Sequence, residues 1–179
     1  LNLWRSKVPK YKEGLLTCFD RMTNSLEVDY DIGLRESDLP KLFDIWTRVA
    51  EALRVEFGLV HTLWRVAGTR DYNFGSRASY SGIRDNGLSN VHARTWFGPK
   101  LVDSVGRDFL LDLPHTVETA WGGIQLDLVD EPWLADYETL REKQKTIREL
   151  FDERGLLADY SSPVRGKPGP NWTKPDWGE

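Results

Sequence analysis

Thr116-Val117-Glu118-Thr119-Ala120-Trp121-Gly122-Gly123-Ile124-Gln125-Leu126-Asp127-Leu128-Val129 holds two strand-forming runs divided by a pair of glycines. Tight hairpin turns need positive φ, which glycine adopts without steric cost. The stretch therefore predicts strands over 116–121 and 124–129 joined by a two-glycine turn, the nucleus of a mixed, largely antiparallel sheet. Just upstream, Pro99 is suited to open a short helix through Leu101, Val102 and Val105, which Gly106 closes before a second short turn reaching Leu113. A further strand fits Val91–Phe97. Downstream, Pro132 opens a helix to Glu153 carrying Leu134, Tyr137, Leu140, Ile147 and Leu150, with Gly155 as its stop.

In the N-terminal half the strongest periodicity lies over Asp38–Phe57. Leu42, Trp46, Val49, Leu53 and Phe57 repeat on one helical face, Ser37 or Asp38 caps it, Pro40 sits in its first turn, and Gly58 ends it. Leu15, Phe19, Met22 and Leu26 share another helical face, predicting a helix from Tyr11 to about Leu26 with Cys18 on that face. Leu1–Trp4 fits a short strand. Glu27-Val28-Asp29-Tyr30-Asp31-Ile32 alternates as a half-exposed strand does, with three carboxylates on one side. Leu59–Val66 mixes β-branched and aromatic residues as a strand. Between Thr69 and Asn90 turn-forming residues dominate, with a strand expected over 77–83 and a loop at Asp85-Asn86-Gly87. The expected class is α+β, a single domain over 1–160 whose sheet is packed by two or three helices. Residues 161–179, rich in Pro and Gly, read as a tail docked through Trp172 and Trp177.

At 179 residues, 40% of them hydrophobic and eight of them Trp, the chain has the size and apolar content of one folded domain. Its formal charge of −4 lacks the strong positive balance that dominates nucleic-acid affinity. The charge is unevenly spread. Residues 58–107 carry seven Lys/Arg against three Asp/Glu, and residues 108–153 carry four against twelve. The single cysteine forbids an internal disulfide or a cysteine-rich zinc site and favours a cytoplasmic setting. No run approaches the roughly 18 consecutive apolar residues of a membrane span.

His61, His92 and His115 do not form a paired metal-ligand spacing, and no nucleophile elbow, Walker loop or dinucleotide fingerprint is present. The expectation is a protein with no catalytic residues, metal or cofactor. Glu27, Asp29 and Asp31 share a strand face and would offer hard oxygen ligands to a cation, or an acidic strip to a partner. A second acidic group, Asp127, Asp130, Glu131, Asp136 and Glu138, surrounds the exit from the hairpin. Carboxylates there are favoured by the following helix's dipole, and they would also complement a basic cleft on a partner protein. Trp133 beside them is a candidate contact residue, since binding hot spots favour Trp, Tyr and Arg.

Two stretches resemble bacterial polymorphic-toxin immunity proteins, and especially the immunity protein 52 family. One is Leu3-Trp4-Arg5 leading into Glu13-Gly14-Leu15-Leu16-Thr17-Cys18-Phe19-Asp20-Arg21. The other runs from Phe97-Gly98-Pro99-Lys100-Leu101-Val102-Asp103-Ser104-Val105-Gly106-Arg107-Asp108 through Leu110-Leu111 to Trp121-Gly122-Gly123. The resemblance implies an α+β protein that binds a cognate toxin, commonly a nuclease delivered between bacteria by a specialised secretion system such as type VI. Neutralisation would be stoichiometric occlusion, with no nucleic acid or membrane as partner. The rival readings are a metal-dependent hydrolase on Glu27, Asp29 and Asp31, and a nucleic-acid-binding module on Arg65, Arg70, Arg77, Arg84 and Arg94.

Overall fold

The computed structural model describes residues 16–20, 25–28, 36–60, 64–66, 69–71, 85–159 and 166–177, and the side chains of 37–60, 85–159 and 166–177. In chain order the elements are β1 (Leu16–Asp20), β2 (Ser25–Val28), a 3-10 turn (Glu36–Asp38), α1 (Leu39–Leu53), β3 (Phe57–Val60), β4 (Trp64–Val66), β5 (Thr69–Asp71), β6 (Arg94–Phe97), α2 (Pro99–Val105), α3 (Arg107–Leu111), β7 (Thr116–Glu118), β8 (Ile124–Asp127) and α4 (Tyr137–Glu153). The main sheet has the order β3-β6-β8-β7, antiparallel throughout, while β1–β2 and β4–β5 form two separate antiparallel pairs. The chain is an α+β protein.

Residues opposite one another in an antiparallel pair share a face, so the register sorts the sheet into two sides. Thr95, Phe97, Ile124 and Leu126 form one side and are fully buried. Phe151 of α4 stacks on Phe97 at 6.1 Å between ring centroids and meets Phe109 of α3 edge-on at 5.0 Å. Burial of large side chains such as these contributes about 1.5–3 kcal/mol each. Arg94, Trp96, Gln125 and Asp127 form the other side, and α1 reaches it through Thr47 and Phe43.

The hairpin is shorter in its strands and longer in its loop than the glycine pair predicts. Only Gly122 has positive φ, at 87°. Gly123 is needed for a different reason: a Cβ there would strike the carbonyl oxygen of Phe97. Pro99 and Gly106 bound α2 as expected, and the strand expected from Val91 begins at Arg94. Leu59–Val66 divides into β3 and β4, which belong to different sheets.

Three helix expectations are corrected. The span 11–26 contains β1 and the start of β2, which pair at Leu16–Val28 and Thr17–Glu27, so Cys18 lies in a strand. Four apolar residues at helical spacing do not settle a helix there, since the sequence Thr23-Asn24-Ser25 consists of residue types with low helix propensity and a preference for turns. Helix α1 stops at Leu53, because Arg54 turns left-handed at φ 47° and Phe57 pairs with Phe97 in β3. Its buried residues are Phe43 and Ala50, whereas Leu53 is 60% exposed. Helix α4 begins at Tyr137 rather than Pro132, because Asp136 is extended and its carboxylate accepts the Thr139 N–H at 2.8 Å as an N-cap. Leu134 is thereby left outside the helix, exposed. Leu1–Trp4 and 77–83 lie outside the described residues.

The Pro/Gly-rich segment 166–177 crosses the body as a strap. Lys167 and Asp159 exchange two backbone hydrogen bonds, and Asn171 bonds the carbonyls of Gly155 and Arg154. Gly169 lies so close to the Gly155 and Leu157 carbonyls that a side chain has no room. Trp172 and Trp177 pack on the central core, and Lys174 pairs with Asp85 at 3.0 Å.

Candidate functional site

The turn between β8 and α4 joins buried charge to exposed charge. Asp127, the last residue of β8, stands opposite Arg94 in the sheet. The guanidinium grips its carboxylate through both oxygens, at 2.7 and 2.6 Å, and donates a further bond to Thr47 of α1 at 2.9 Å. Gln125 donates to the same carboxylate and accepts from the Trp96 indole. Arg94 also lies over the rings of Phe43, Trp96 and Trp133, 5.2 to 6.0 Å from their centroids, within cation–π range. Burial pushes the Asp127 carboxyl above its ordinary value, and the adjoining guanidinium opposes that rise. Asp127 is thus an internal anchor and not an exposed interface charge.

Trp133 belongs to the same anchor. It meets Phe43 edge-on at 5.4 Å and packs against the core. Several residues around it in sequence are exposed, Leu134 together with Asp130, Glu131 and Glu138. The Leu134 N–H bonds the Glu131 carbonyl at 2.9 Å, closing the turn. Asp136 is exposed but occupied in capping α4, and its pKa is lowered by the Thr139 hydrogen bond. Asp130 contacts His115 Nδ1 at 2.7 Å, and Glu138 lies 4.0 Å from Arg141. What emerges is an exposed apolar residue with three exposed carboxylates before and after it in sequence, on a turn that an internal Arg–aromatic cluster holds in place.

Nothing in the sequence around Leu134 marks it as exposed except the Asp136 cap, which places it three residues before the first residue of the helix. The Arg94–Asp127 contact spans 33 positions and has no local signal. Val117, in the expected hairpin, is 55% exposed on the sheet's edge strand.

Of the other candidates, only some lie among the described residues. Glu27 lies in β2 opposite Thr17, and Asp29 and Asp31 fall outside the described residues. Among the described residues no group of three or more His, Cys, Asp or Glu is placed to hold a metal ion. Arg94 is consumed in the buried pair, while Arg65 and Arg70 stand opposite each other across β4 and β5. Arg77, Arg84 and His61 lie outside the described residues. His92 is fully buried, and desolvation lowers its pKa to about 4. A shallow groove of about 350 Å³ between α2 and the strap is lined by Lys100, Lys174, Asp103 and Asp176 among others, a balanced set of charges. No helix among the described residues is long and apolar enough to cross a membrane.

No protein-family model matches the chain, and no curated protein or solved structure is similar enough to it to count as a match.

Proposed function

We propose that this chain is an immunity protein, which binds a cognate antibacterial toxin and neutralises it by stoichiometric occlusion. The observation that carries the reading is the 130–138 turn. Leu134 is exposed, as are Asp130, Glu131 and Glu138 before and after it in sequence, while Trp133 beside it is held by Phe43 and Arg94. A contact held in one shape before binding loses little conformational entropy on association, so more of its interaction energy appears as affinity. Its charge suits a basic partner surface of the kind a nuclease presents to its substrate, and complementary charge speeds encounter. The likeness of Phe97–Gly123 to the immunity protein 52 family points the same way. The toxin would be a nuclease effector of a specialised secretion system, met in the cytoplasm.

The test is co-expression with the product of the gene immediately upstream, followed by purification and a growth assay. A stable complex and restored growth are expected. A toxic product that neither binds this protein nor is relieved by it would reject the proposal.

A further inference from the structure

We infer that the edge of β7 facing away from β8, which no strand among the described residues covers, is a docking strand for an extended, cationic segment of a partner protein, which joins the main sheet as an additional antiparallel strand. The inference names the mode of contact used by the immunity function proposed above and rests on it for the partner's identity, although the edge itself is tested separately.

Backbone geometry carries the first half. The Asp127 N–H bonds the His115 carbonyl at 3.1 Å, and the Thr119 N–H bonds the Gly123 carbonyl at 2.9 Å. With Val117 opposite Gln125 between them, the alternation of an antiparallel ladder turns the odd-numbered residues inward. Thr116 and Glu118 therefore direct their N–H and C=O groups away from β8. Among the described residues no strand lies on that side. These groups can form up to four backbone hydrogen bonds with an added strand.

Side chains carry the second half. A joining strand would place alternate residues over the two faces of the edge, and each face offers an apolar surface. Val117 is 55% exposed on one, and Leu111, whose carbonyl bonds Thr116 Oγ1 on the other, is 40% exposed. The rim is acidic. Asp108, Asp112, Glu118, Asp130 and Glu131 are exposed between positions 107 and 131, against the single Arg107, which is bound to Glu118 and the Gly122 carbonyl. Charge at a sheet edge commonly guards against self-pairing. Five carboxylates against one arginine repel a second copy of this edge and attract a cationic strand. The His115–Asp130 contact makes the edge continuous with the 130–138 turn. The opposite edge, β3, leads into residues that are not described.

The test uses the whole protein and a ten-residue peptide alternating Lys and Val, with a Glu/Val peptide and a proline-interrupted Lys/Val peptide as controls. Amide hydrogen exchange is followed at Thr116, Val117 and Glu118 by NMR. The Lys/Val peptide is expected to bind at low salt and slow exchange at Thr116 and Glu118. Val117, already bonded inward, should barely change, and neither control should act. Glu118→Pro removes one outward donor at a position an edge strand tolerates, and should weaken binding about tenfold. Val117→Lys, at an exposed site, should do the same by repulsion if the proline variant does not fold. Failure of the peptide to bind, or binding without protection at Thr116 and Glu118, overturns the edge proposal. So does concentration-dependent protection in the protein alone, which would assign the edge to a second copy. Peptide binding without neutralisation of the upstream product would overturn the immunity reading and leave the edge standing. Neutralisation unaffected by either variant would do the reverse.

Discussion

His92 is a neutral group in a place that water does not reach. Its pKa falls from 6.5 in the unfolded chain to about 4 in the fold, because burial disfavours the imidazolium. Between those values the unfolded chain binds more protons, so stability present above pH 6.5 is lost as pH falls through about 4. The loss from this group is on the order of 3 kcal/mol. Asp127, whose carboxyl burial raises above its ordinary value, acts in the opposite sense. Urea unfolding at pH 8, 6, 5 and 4 should show a decline that His92→Leu flattens; parallel profiles for the two proteins would show that His92 does not titrate as described. Arg54 is a second residue-scale case. It ends α1 at φ 47°, a conformation that costs a side-chain-bearing residue roughly 1–2 kcal/mol. Arg54→Gly should raise stability by about 1 kcal/mol in chemical denaturation, and a loss of stability would mean the arginine makes a contact that outweighs the strain.

At the scale of elements, the Arg94–Asp127 pair joins β6 to β8 and reaches α1 through Thr47. Removing one partner leaves a buried charge without its counter-ion, so Arg94→Met and Asp127→Leu should each cost about 3–5 kcal/mol. The double variant should recover most of that loss, because two well-packed apolar residues need no pairing. A double-mutant cycle measured by urea unfolding separates the pair from its neighbours, and additive losses would show that the two side chains are energetically independent. The same pair shows why the acidic group at the hairpin exit was only partly legible. Asp127, Asp130 and Glu131 are alike in sequence, but strand alternation and the facing arginine bury the first and leave the others outside.

For the whole molecule, the acidic surface runs from the β7 edge to the start of α4. Reversing Asp130, Glu131 and Glu138 together to lysine leaves the buried pair and the Asp136 cap untouched. Association with the cognate toxin should slow at least about tenfold at low salt, with the difference shrinking as salt is added. Stopped-flow mixing of the folded triple variant measures this, and unchanged rates would remove the 130–138 turn from the interface.

Local chemistry by itself determined the α+β class, the bounds of α2 between Pro99 and Gly106, the hairpin around Gly122-Gly123, and the existence of helices near 38–53 and 137–153. Each depends on φ preferences, caps and periodicity within a few neighbouring residues. Tertiary structure decided which face of α1 is buried, that 16–20 and 25–28 pair as strands, where Leu134 points, and how a proline-rich terminus becomes a strap. Those outcomes depend on partners far away in sequence, such as Arg94 for Asp127, Phe97 for Gly123 and Gly155 for Asn171 and Gly169. Pattern within a segment shows that it has an apolar side, but the packing of the other segments determines what that side meets.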